Sequence, residues 1–155
     1  MIYPESKSTR KYTLESRPKR IFVYLRIIGE DLDPAEVTKL LNLTPSRSWS
    51  ANDLRLALAE EPVLSEGGWS LSSLEFVKSN SLEEHMQWLL DQLQGRSHPL
   101  AQLCGQNCRA EIIVHWVAAS WNTSCSLKGA TLKAISKYQI PVYFDVWEKS
   151  ELSPT

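Results

Sequence analysis

The stretch from Ile21 to Pro34 constrains this chain more than any other. Ile21, Val23, Leu25 and Ile27 alternate with Phe22, Tyr24, Arg26 and Ile28. An extended backbone therefore sets one aliphatic row against a core and leaves an aromatic and mixed row on the opposite side. Gly29 ends the run, and Asp33-Pro34-Ala35-Glu36 follows. That order puts a side-chain acceptor at the N-cap, proline at the first helical position and a glutamate three residues after the cap. Leu32 and Val37 are spaced as a hydrophobic staple. The acidic residues Glu30, Asp31 and Asp33 fit capping and the helix dipole better than a divalent-ion site, which needs more converging oxygens.

The same reading extends along the chain. Val37, Leu40 and Leu41 give the first helix its apolar stripe, and Thr44-Pro45 is expected to close it. Ser46 to Trp49 and Gly67 to Phe76 read as two strands of a long-looped hairpin. Ser81 to Glu84 forms a capping box, after which Leu82, Met86, Leu89, Leu90 and Leu93 recur at helical spacing until Gly95. Trp88 falls on the far side of that helix, where the Leu100 to Leu103 segment or the long loop is expected to cover it. Arg109 to Trp116 alternates as another strand, Leu127 to Tyr138 suggests a last helix, and Pro141 begins a final strand.

The resulting order, β-α-β-β-α-β-α-β, predicts an α+β fold. Its sheet is antiparallel or mixed with helices on one face, related to the ferredoxin-like plan. One domain is expected over residues 21–148, with residues 1–20 as a flexible, basic extension and 149–155 as a loose tail.

At 43% apolar residues with six tryptophans, the chain can bury a sizeable core. Its 17 basic and 18 acidic residues leave a formal charge of −1, which supplies no general attraction for phosphate backbones or anionic membranes. No apolar run is long enough to span a bilayer and no signal peptide is evident, so a cytoplasmic location is expected and a membrane partner is not. Three cysteines without a secretion signal argue for free thiols.

No phosphate-binding loop, dinucleotide fingerprint, zinc-protease motif or nucleophile elbow occurs, and neither catalytic residues nor a cofactor is assigned. Cys104 and Cys108, with His98, His115 and Cys125, are spaced too irregularly for a structural zinc site, so no metal is expected.

Five ordered blocks carry a family resemblance. They are Tyr24-Leu-Arg-Ile-Ile-Gly-Glu-Asp-Leu-Asp-Pro34, Leu41-Asn-Leu-Thr-Pro-Ser-Arg-Ser-Trp49, Gly68-Trp-Ser-Leu-Ser-Ser73, Leu82-Glu-Glu-His-Met-Gln-Trp-Leu-Leu-Asp-Gln-Leu93 and Tyr143-Phe-Asp-Val-Trp147. Together they resemble the bacterial family called domain of unknown function 4279 over roughly residues 20–148. The resemblance implies a compact α+β fold and no catalytic residues.

The strand patterns give one candidate surface. If the aliphatic rows face the helices, Tyr24, Arg26, His115, Tyr143, Asp145 and Trp147, with Phe22 and Ile113, share the other face, and Trp69 and Leu71 are expected to join them. Arg, His and Asp among aromatic rings suit a protein interface or a ligand cleft. The expected function is a non-enzymatic protein-interaction module, its partner another protein or a second copy of the chain. An immunity or antitoxin-like role is one form of this. The rival reading is a small-molecule sensor or enzyme with a pocket around Arg26, His115 and Asp145. A third is a face covered by residues 50–66 and the N-terminal arm. Aromatic rings on an open sheet can stack bases, but the basic surround is missing and nucleic acid is not expected.

Overall fold

The computed structural model describes residues 20–51, 66–118 and 123–148. The expectations for the N-terminal extension before Arg20, for the tail after Glu148 and for most of the long loop lie outside these residues. The elements are β1 (Arg20–Gly29), α1 (Pro34–Leu41), β2 (Arg47–Trp49), β3 (Gly67–Ser72), α2 (Leu82–Leu93), α3 (Ser97–Cys104), β4 (Arg109–Ala118), α4 (Gly129–Ser136) and β5 (Val142–Glu148). They form an α+β fold with a mixed five-stranded sheet in the order β2-β3-β1-β4-β5. All neighbours are antiparallel except β4 and β5, which run parallel across the α4 crossover.

Alternation in β1 sets the layer. Ile21, Val23, Leu25 and Ile27 are buried in the core while Phe22, Tyr24, Arg26 and Ile28 are half-buried on the other face. Ala110, Ile112 and Val114 of β4 join the same core, against Val37 and Leu41 of α1, Met86, Leu89 and Leu93 of α2, Leu100 and Leu103 of α3, and Ile135 of α4. Asp33 caps α1 by accepting the Ala35 N–H at 2.9 Å, and Leu32 and Val37 are both buried as a staple requires. The helix ends sooner than proline alone would dictate. Asn42 takes a left-handed conformation (φ 50°) and stops it three residues before Pro45.

Three further differences from the sequence reading have clear causes. An additional helix, α3, runs through Pro99, which is tolerated because it lies in the first turn, where its missing N–H has no intrahelical acceptor. β3 stops at Ser72. The chain then turns, with the Phe76 and Val77 N–H groups donating to the Ser73 carbonyl. Phe76 comes out of this turn onto Trp88, ring centroids 5.0 Å apart and nearly parallel, so Trp88 is covered from the turn and not by residues 100–103. Those residues belong to α3, which packs on β4 and α1.

Trp69 and Leu71 are also corrected. They stand opposite Ile27 and Leu25, on the core face, and are buried. The Trp69 indole N–H donates to Thr38 Oγ1 at 3.0 Å. It is Ser70 and Ser72 that face outward, as the period of two requires once the apolar pair is inside. The two preceding glycines permit this packing. A Cβ at Gly67 would collide with the Leu32 carbonyl, and one at Gly68 with the Trp49 ring.

Candidate functional site

The sheet face away from the helices is built of cross-strand rows fixed by the register. At one end Arg20 lies opposite Val117, and Val117 opposite Trp147. Next come Phe22, His115 and Asp145, then Ser72, Tyr24, Ile113 and Tyr143. Beyond these lie Arg47, Ser70, Arg26 and Glu111, and finally Trp49, Gly68, Ile28 and Arg109. Six of the seven residues singled out from the sequence, namely Tyr24, Arg26, His115, Tyr143, Asp145 and Trp147, share this face. Trp69 does not.

The rows carry a continuous run of rings. Trp147 and His115 have centroids 6.4 Å apart, His115 stacks on Phe22 at 4.7 Å, and Phe22 meets Tyr24 at 6.1 Å. The Arg20 guanidinium sits 5.5 Å from the Phe22 ring, a cation–π distance. His115 Nδ1 lies 3.5 Å from the Asp145 carboxylate on the neighbouring strand. Burial pushes the Tyr24 hydroxyl above its usual range, opposed by Arg26 and reinforced by Asp145 and Glu111. The phenol therefore stays neutral at ordinary pH.

Arg26 is committed elsewhere. Its Nε donates to Glu111 at 2.6 Å and a terminal nitrogen closes a second contact to the same carboxylate. Glu111 is buried, so the pair is fixed in place, a partner the sequence could show only once the 85-residue separation was closed by the register. Four residues of extended chain, roughly 13 Å, separate Arg26 from Phe22 in the His115–Asp145 row. Arg26 and the His115–Asp145 pair thus form two separate polar groups with Tyr24 and Ile113 between them.

Clefts occur elsewhere. The largest of four, about 640 Å³, lies between the start of α1 and the turn before β4, with Glu30, Asp31, Asp33, Glu36 and Glu66 on its walls. Glu66 there makes two hydrogen bonds to Arg109, at 3.0 and 3.2 Å. The others, about 510, 470 and 430 Å³, lie beside α2 and α4, between α1 and β2, and at the 79–84 segment. None of the four takes in Tyr24, Arg26, His115 or Asp145.

A serine–histidine pair not anticipated from the sequence lies in the core. Ser73 Oγ is 2.6 Å from His85 Nδ1, while His85 Nε2 is 2.8 Å from the Ser79 carbonyl. The carbonyl can only accept, so Nε2 carries the proton and Nδ1 accepts from Ser73. Burial lowers the His85 pKa, partly opposed by the hydrogen bond to Ser79 and the charge of Glu84. Both residues are buried, Ser73 at 0% and His85 at 1% exposure. The pair ties the 73–81 turn to α2 and β1 and presents no nucleophile to solvent.

Among the described residues no three His, Cys, Asp or Glu side chains are grouped to hold a metal ion. Cys104, Cys108 and Cys125 are unpaired, and burial raises the pKa of the latter two, the opposite of an activated thiolate. No helix among these residues is long and apolar enough to cross a membrane.

A family model described as Domain of unknown function (DUF4279) matches residues 19–149. The chain belongs to that family. No curated protein and no solved structure matches it. The DUF4279 match runs from the start of β1 to the end of β5, so it takes in every strand of the ring-bearing face.

Proposed function

We propose that the open sheet face docks a protein partner, with Tyr24, Tyr143 and Trp147 as its apolar contacts. The His115–Asp145 and Arg26–Glu111 pairs supply fixed polar points. The observation that carries this reading is the continuous ring run Trp147–His115–Phe22–Tyr24 across three strands, on a surface outside the four clefts described. A broad aromatic face outside these clefts suits a flat macromolecular contact better than a small ligand, which favours concavity. Native mass spectrometry of the protein from its own cells is expected to show the chain with a second polypeptide. Tyr24→Ala and Trp147→Ala should abolish that species while moving the melting temperature little. A large fall in melting temperature with the complex intact would refute the docking role.

Two coarser inferences accompany this one. The order β2-β3-β1-β4, with every neighbour antiparallel, supports relating the domain to the ferredoxin-like plan with β5 added at its edge. The unpaired thiols support a cytoplasmic location.

A further inference from the structure

β5 is the outer strand of the sheet among the described residues, and four of their six exposed large apolar side chains lie on it. Tyr143 and Trp147 on the open face, and Phe144 and Val146 on the helix side, are each 53 to 56% exposed. Within the strand there is no proline, lysine or bulge, and it pairs with β4 in unbroken register, so Asp145 and Glu148 are its only edge charges. The Ile112 N–H donates to the Pro141 carbonyl at 2.9 Å. By alternation, the backbone groups of residues 143, 145 and 147 face β4, and those of Val142, Phe144 and Val146 point outward, with no strand beside them among the described residues.

We infer that this edge pairs antiparallel with β5 of a second copy, across a two-fold axis at Asp145, joining two sheets into one of ten strands. The inference stands on the strand edge and goes beyond the docking role of the open face. The sequence Val142-Tyr-Phe-Asp-Val-Trp-Glu148 is near-palindromic in character about Asp145. Pairing centred there sets Tyr143 against Trp147 of the second copy and Phe144 against its Val146, so all four exposed apolar residues meet apolar partners. Centring on Phe144 or Val146 keeps the helices on one side but sets an aromatic ring against Asp145.

Backbone polarity agrees with the Asp145 register. Phe144 and Val146, whose backbone groups point outward, become hydrogen-bonded pairs, and Asp145 meets its counterpart in a non-hydrogen-bonded pair on the axis. Edge pairing covers the flanks of these side chains that turn toward the second copy and leaves the outer surfaces of Tyr143 and Trp147 open to the docked partner. The paired backbones add a ladder of hydrogen bonds along the edge. The facing carboxylates of Asp145 oppose the pairing, which makes their removal a test of the register.

The experiment is sedimentation velocity on the full chain and four variants, with melting temperatures measured alongside. The wild type is expected to be a dimer. Phe144→Lys should raise the dimer dissociation constant roughly a hundredfold or more, since each substitution enters the interface twice. Phe144→Pro removes an outward N–H without touching the β4 ladder and should dissociate the dimer likewise. Asp145→Asn should tighten it. Tyr24→Ala, remote from the edge, should leave it intact. A monomeric wild type, a dimer that survives both Phe144 variants, or one weakened by Asp145→Asn overturns the inference. A dimer broken by Tyr24→Ala alone would overturn it too, placing the second copy on the open face, whereas loss of a heterologous partner with the dimer intact bears only on the docking role.

Discussion

At Ser73 the chain leaves β3 through a turn whose hydrogen bonds converge on two buried side chains. Ser73 Oγ accepts from the Val23 N–H at 3.0 Å and donates to His85, which holds the Ser79 carbonyl from its other ring nitrogen. The His85 pKa is depressed below its ordinary 6.5, so the unfolded chain binds the proton more readily than the folded one. The stability this histidine contributes is full above pH 6.5 and declines as pH falls through the lower folded value. The melting temperature of the wild type should therefore drop between neutral pH and mildly acid pH, and His85→Gln should be less stable at neutral pH with a flatter profile. An unchanged slope in the variant would assign the acid sensitivity elsewhere. Trp69 and Trp116 form a second pair of contrasts. Trp69 donates to Thr38, whereas the Trp116 Nε1 is buried without a partner among the described residues. Trp69→Phe should cost about 2 kcal/mol or more, combining lost volume with an unpaired Thr38. Trp116→Phe removes an orphaned donor and should cost roughly 1 kcal/mol less, as denaturant unfolding of both variants would reveal. The side of β3 on which Trp69 falls was legible in the alternation of Trp and Leu with Ser and Ser. Ring chemistry alone pointed the other way, and the period of two decides it.

Each element shows which signals are local. The caps at Asp33 and Ser81, the staple of Leu32 and Val37, and the alternation in β1 act over a few residues, and each appears in the structure where the sequence placed it. The cap of α4 is different, because its N-cap residue Lys128 makes no side-chain cap bond. Glu83, on α2, reaches across and accepts from the Lys128 N–H and from the Thr131 hydroxyl. No local pattern encodes a cap lent by another helix. Burial alone would raise the Glu83 pKa, but hydrogen bonds from Thr131, Lys128 and Gln87, with the Lys128 charge, together hold it below the ordinary 4.5. Its contribution is therefore present above pH 4.5 and lost as pH falls through the folded value. Glu83→Gln should destabilise the domain by about 1 kcal/mol at neutral pH, with early hydrogen exchange across α4; unaltered exchange there would remove Glu83 from this role. Arg96 works similarly, donating to the Leu41, Gln92 and Gln94 carbonyls and so satisfying the C-terminal ends of α1 and α2 together.

For the whole molecule, strand composition predicts a two-faced sheet, and strand order decides which faces are open. The sequence patterns sorted nearly every residue of β1, β4 and β5 onto the correct face. They gave no sign that β5 is the outer strand among the described residues, where Phe144 and Val146, apolar and turned toward the helix layer, stay more than half exposed. Nor could they separate Arg26 from the His115–Asp145 pair, since that depends on pairings 85 and more residues apart. The docking proposal requires the ring-bearing face to meet a protein. A photoreactive phenylalanine placed at Tyr24, in the middle of that face, tests it most directly inside the cells that make the protein. Leu132 on α4, 54% exposed and apolar, is the matched control. A discrete heavier adduct is expected from position 24 and none from position 132. Equal labelling from both positions, or none from position 24, would contradict the docking proposal.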